Sequence, residues 1–238
     1  MSSEYKIVKS FLERNINKLN SGSSNGGIKS KPNFDLFPSD YIRFAEEELD
    51  NLEANGLNIR EKINCVLHLK RALDCQLDIF FHIFSLKKII DEKNLGIPKK
   101  LDFLKKVGII NSRVIDRFNS LRNKIEHHYK IPEINDIEVY FDLINALVSL
   151  IEMNIYPLLY IDELMKSDIS KNISIKLSYL IESEYPLIKY KIVENGEEFG
   201  GEVSVVKNYI EFTNLFKVFL LLAKKDVFVK ESYILNHL

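Results

Sequence analysis

From Ser39 to Met165 apolar residues return every three or four positions, the period of amphipathic helices. The first stretch carries Ile42, Ala45, Leu49 and Leu52 on one face and stops at Asn55-Gly56, a left-handed C-cap pair. Asn58 and Glu61 have capping-box spacing and open a longer pattern with Ile59, Ile63, Val66, Leu73, Leu77, Phe80 and Phe84 among its apolar positions, running to about Leu86. Gly96 and Pro98 break the chain, and Lys99 to Val107 forms a short helix that Gly108 stops. Asn111 caps the next helix, whose buried stripe is Val114, Phe118, Leu121 and Ile125 and whose end lies near Lys130, before Ile131-Pro132. Asn135 and Glu138 begin a helix from Ile137 to about Ile155 that is apolar on nearly every side, through Val139, Leu143, Ile144, Leu147, Val148, Leu150 and Ile151. Such a helix must be central or must pack against a second chain.

The flanks read differently. Ser21 to Lys31 has the Gly/Ser composition of a linker and separates a short N-terminal helix, Glu4 to Leu19, from the main body. After Lys166 the period falls to two: Ile173, Ile175, Leu177 and Tyr179 alternate with polar residues, then Ile188, Tyr190 and Ile192, followed by Asn195-Gly196 with hairpin-turn chemistry. Glu202 to Phe212 reads as a third strand or two, and Thr213 to Lys224 as a helix. The expected organisation is mainly α: an N-terminal helix and flexible linker at 1–31, a helical bundle at 32–166 and a small α+β appendage at 167–238.

Composition narrows the function classes. With 238 residues, 46% of them hydrophobic and 28% charged, the chain can bury a substantial core, and its net charge of −1 excludes a globally basic nucleic-acid coat. The charge is unevenly placed. Lys87 to Lys130 holds twelve basic and five acidic residues, a local +7, whereas Glu133 to Asp168 holds eight acids and one lysine, a local −7. The basic segment suits a polyanion, and equally two helices of opposite sign attract each other. Two cysteines without Cys-x-x-Cys spacing give neither a disulfide framework nor a metal knuckle and fit a reducing cytoplasm. The apolar runs are too short for a membrane span, and no signal-peptide pattern is present, so the expected protein is soluble and cytoplasmic with no membrane partner.

The segment richest in chemistry is Leu121-Arg122-Asn123-Lys124-Ile125-Glu126-His127-His128-Tyr129. It resembles the Arg-x4-6-His motif of the HEPN superfamily, with four residues between Arg122 and His127 and a polar Asn123 after the arginine. The helix order over Ser39 to Met165 is similar to that of a HEPN antiparallel four-helix bundle. The resemblance implies a metal-independent endoribonuclease, of a kind often serving as a bacterial toxin or phage-defence effector. The partners it implies are RNA, a second copy of the chain and an antitoxin or other defence-system protein, with no cofactor. A catalytically inactive HEPN-type module that binds RNA, nucleotide or a protein partner is the alternative.

RNA supplies its own nucleophile, the 2′-hydroxyl, so cleavage needs a proton carrier active near neutral pH and a fixed cation on the phosphate. Histidine, with an ordinary pKa of about 6.5, and arginine, with its planar fork, are those groups. His127 is then the general acid or base, Arg122 the phosphate clamp and Asn123 the orienting group, with Lys124, His128, Arg117, Lys105 and Lys106 as candidate RNA contacts. On an ideal helix Arg122 and His127 point about 140° apart. Their meeting therefore needs a bent arginine side chain, a loosened helix end or the partner's motif, and the resemblance implies the last, a composite cleft in a homodimer. The same residues also fit a solvated helix end in which Arg122 pairs with Glu126.

No metal site is expected. His68, Cys75 and His82 recur every seven residues, which on a helix is a rise of about 10.5 Å, beyond one ion's coordination sphere.

Overall fold

In a computed structural model of the chain, residues 3–25, 32–55, 58–93, 95–113, 116–117, 119–120, 123, 133–155, 161–168, 172–181, 185–225 and 227–238 are described. The protein is mainly helical with a small antiparallel sheet. An N-terminal helix, α1, spans Glu4–Asn15. Next, α2 (Pro38–Asn55) begins where Asp40 turns back to accept from the Phe37 N–H at 2.9 Å. The longest helix, α3 (Ile59–Ile83), is capped by Asn58, whose side-chain oxygen accepts from the Arg60 N–H at 3.0 Å. The two run antiparallel, with Asn64 of α3 donating to Glu48 of α2 at 3.0 Å. The buried stripe of α3 follows Cys65, Leu69, Leu73, Leu77 and Phe80 at four- and three-residue spacing, with Ala72 beside it. Ile59 and Ile63, expected on that stripe, are each 50% exposed; two residues of helix turn Ile63 about 200° away from the buried Cys65, onto the opposite face.

The α3 helix ends earlier than expected, at Ile83, and without a glycine. Ser85 takes a left-handed φ of 51°, its N–H donating to the His82 carbonyl at 3.0 Å while the Leu86 N–H reaches back to Phe81 at 2.7 Å. Burial of Phe84 and Leu86 on either side offsets the cost of that conformation. A short α4 (Lys87–Lys93) follows, then α5 (Ile97–Lys106), which stops where expected: Gly108 has φ 79° and the Ile109 N–H donates to Leu104 at 2.9 Å.

The strongly apolar helix, α6, is Ile134–Ile155. It is not buried all round. Ile137, Ile144, Leu147 and Ile151 face the core against α3, while Val139, Leu150 and Met153 are exposed, the last by 72%.

Five strands form one antiparallel sheet in the order β1 (Asn20–Asn25), β2 (Glu163–Ser167), β3 (Ile173–Leu180), β4 (Leu187–Glu194) and β5 (Glu197–Ser204). Asn195 and Gly196 join the last two with left-handed φ values of 56° and 83°, the two-residue turn that their identity predicts. The expected linker at 21–31 is corrected over its first half, since Asn20–Asn25 pairs with β2. Ladder hydrogen bonds use only the backbone, so an edge strand can be polar throughout. The expected strand over 202–212 is also corrected: β5 ends at Ser204, and Asn208 accepts from the Glu211 N–H at 3.2 Å to start α7 (Tyr209–Lys224). A last helix, α8, spans Glu231–His237.

The chain ends meet. Helix α1 packs on α7 and the sheet through Val8, Phe11 and Leu12, and the Tyr5 N–H donates to Glu211 at 2.7 Å. Lys225 donates to the Leu19 carbonyl at 2.7 Å. The N-terminal helix thus belongs to the same α+β layer as the C-terminal third. That layer shares its core with the helices: Tyr179 of β3 donates to the Phe84 carbonyl at 2.7 Å, and the Phe84 and Phe216 rings lie 5.1 Å apart.

Candidate nucleic-acid interface

Beyond α5 the chain turns at Gly108 and re-enters helix, with residues 112–113, 116–117, 119–120 and 123 helical among those described. Arg122, Lys124, His127 and His128 lie outside the described residues, as do Val114, Phe118, Leu121 and Ile125. Asn123 is exposed.

Arg113 and Arg117 are one helical turn apart, about 6 Å along the axis. Both are exposed, and neither forms an ion pair among the described residues. Together with Asn111 they line one side of a cleft of about 490 Å³, whose other side is Val139, Asp142 and Leu143 of α6. Two guanidinium forks beside an open cleft offer planar, permanently charged donors to phosphate oxygens. Arg117 was expected from the sequence. Arg113 was not, although its spacing four residues before Arg117 carried the signal.

Lys105 and Lys106 end α5 and do not line the cleft. Lys106 bonds Asp102 at 2.8 Å and lies over the Tyr209 ring, 5.1 Å from its centre. The Asp102 carboxylate holds its pKa above the ordinary lysine value. Part of the basic segment's charge is likewise used internally. Lys100 is buried between Asp74 and Asp78 at 2.8 and 2.6 Å, and although burial works against its charge, the two carboxylates raise its pKa. Lys88 sits over the Tyr185 ring. Among the described residues of the segment, Arg113 and Arg117 remain exposed without an ion pair, as do Lys87, Lys99 and Lys105.

The cysteines are not activated. Burial pushes Cys65 up to about 12 and Cys75 to about 11, so both remain thiols at neutral pH. His68 packs its ring 5.5 Å from Phe44, with its buried Nδ1 unpartnered among the described residues. Among the described residues no three His, Cys, Asp or Glu side chains gather as a metal site would require, and no helix is long and apolar enough to cross a membrane. Comparison with protein families, with curated proteins and with solved structures finds no match to this chain.

Proposed function

We propose that the chain is a metal-independent endoribonuclease of HEPN type, acting as a homodimer in a toxin or phage-defence role. In this reading α3, α5, the motif segment and α6 are the long, short, motif and apolar helices of its bundle. Arg122 clamps the scissile phosphate, His127 takes or gives the proton and Asn123 orients the substrate, in a cleft completed by the second protomer. The observation that carries the proposal is the pair Arg113 and Arg117, exposed and without ion-pair partners among the described residues, on the helical segment that leads toward the Arg122–His127 motif. In this reading they are two phosphate contacts upstream of the reacting groups. The outer face of α6, on which Val139, Leu150 and Met153 are exposed, supports association with a second copy.

The test is cleavage of a mixed-sequence RNA in excess EDTA. Arg122→Ala and His127→Ala should each lower the rate at least about 100-fold with the circular dichroism spectrum unchanged. Arg113→Ala and Arg117→Ala should instead weaken RNA binding across all sequences and reduce its salt dependence by about one counterion each. The same arginines also favour a second reading, a silent RNA-binding module, because they provide backbone contacts without any proton carrier. In that case the Arg113 and Arg117 changes weaken binding and no variant alters a cleavage rate, because there is none.

A further inference from the structure

A second concavity lies along the C-terminal half of α6, sharing no residue with the arginine cleft. It is a groove of about 730 Å³ between α2, α3 and α6, within the size range of small-molecule sites, about 300–1,000 Å³. Its walls are apolar, with Phe37, Ile42, Ile79, Ile83, Val148 and Ile155 contributing. In its floor lies Gln76, 4% exposed, whose carboxamide has no hydrogen-bond partner among the described residues. Its polar atoms are not among the sealed, unpartnered ones of the described residues, so the little exposure they keep opens to the groove, where the edge of a ligand takes the place of solvent. Gln76 differs from Asn15 and Asn154, the other buried amides, which bond Phe11, Glu194, Leu150 and Lys224.

The rim limits what can enter. Arg43 is taken up by Glu47 at 2.7 Å, whereas Glu46 and Glu152 carry no ion pair among the described residues. The rim's carboxylates outnumber its single arginine, which disfavours an anionic ligand. A flat apolar body suits the walls, and an edge with a donor beside an acceptor matches the two atoms of the Gln76 carboxamide, as Gln and Asn meet the adenine edge elsewhere. We propose that this groove binds a small, uncharged, planar heteroaromatic molecule whose edge pairs with Gln76, as a nucleobase or an aromatic carboxamide would.

The probes are adenosine for the nucleobase, nicotinamide for the aromatic carboxamide and ATP as the anionic counterpart of adenosine, followed by amide chemical shifts of the full-length protein. At least one neutral probe should saturate its shifts at about millimolar concentration or below, with ATP at least about tenfold weaker than adenosine, as expected for a ligand of this size beside uncompensated carboxylates. Gln76→Leu keeps the volume and removes the polar edge. It should lose at least about tenfold in probe affinity while its ligand-free melting temperature equals or exceeds that of the unmodified protein. Ser149→Phe, at the exposed mouth, should block binding with Gln76 untouched. The proposal is overturned if neither neutral probe binds, if binding survives Gln76→Leu, or if Gln76→Leu lowers the ligand-free melting temperature, which would mean that the carboxamide is already paired within the protein. None of these outcomes depends on ribonuclease activity.

Discussion

Gly201 has no side chain because α1 approaches the sheet at that point. A Cβ there would lie 2.9 Å from the Tyr190 ring and against the Glu4 carboxylate that Tyr190 hydrogen-bonds. Gly201→Val should therefore cost about 1–3 kcal/mol in urea denaturation, as overpacking of a closed site does. On the same sheet Glu194 accepts from Arg14 at 2.8 Å and from Asn15 at 2.6 Å, and these bonds hold its pKa below the ordinary carboxylate value. A carboxyl with a lowered folded pKa contributes stability above its unfolded value and loses it as pH falls through the folded one. The stability gap between the unmodified protein and Glu194→Gln should be constant near neutrality and close progressively below about pH 4.5. For a pair whose arginine is exposed it should stay within about 1 kcal/mol. Residue-scale features that depend only on neighbours in the chain, such as the Asn58 cap, Gly108 and Asn195-Gly196, were readable from the sequence. Ser85 was not, because its left-handed backbone is held by the distant partners of Phe84 and Leu86, among them Tyr179 and Phe216.

Helix periodicity located α2, α3, α5 and α6 to within a few residues. It could not reveal β1, since Asn20–Asn25 carries no hydrophobic alternation and becomes a strand only because β2 offers it a free edge 140 residues later. The start of α7 was missed for a related reason: Val203 and Val205 turn inward like a continuing strand, and only the Asn208 cap marks the change. For α6 the apolar composition was legible, but not which face remains outside. Leu150 and Met153 are on that outer face, so the double change Leu150→Glu and Met153→Glu should leave stability within about 1 kcal/mol. In light scattering at micromolar concentration it should convert a dimer to a monomer. Ile144→Ala, on the fully buried face, should cost about 2–5 kcal/mol and leave association intact. A monomer for the unmodified chain across that range would contradict the composite-cleft account.

At the scale of the whole molecule, the two chain ends close one α+β layer beside the helical body, and the two concavities divide α6 between them, arginines toward its N-terminal half and an apolar groove toward its C-terminal half. The candidate chemistry rests on a local string, Arg122-Asn123 to His127, of which Asn123 alone lies among the described residues. The spacing of Arg113 before Arg117 was in the sequence, but its place across a cleft from Asp142 and Leu143 needed the fold. The central claim is that the RNA's own 2′-oxygen attacks, with no metal-activated water. The most direct measurement is the end chemistry of RNA fragments produced by the intact protein in excess EDTA, beside a substrate carrying a single 2′-deoxy residue at the cut position. The account predicts 2′,3′-cyclic phosphate and 5′-hydroxyl ends, and no cut at the deoxy position. Fragments with 5′-phosphates, or cleavage that EDTA abolishes and magnesium restores, would contradict it.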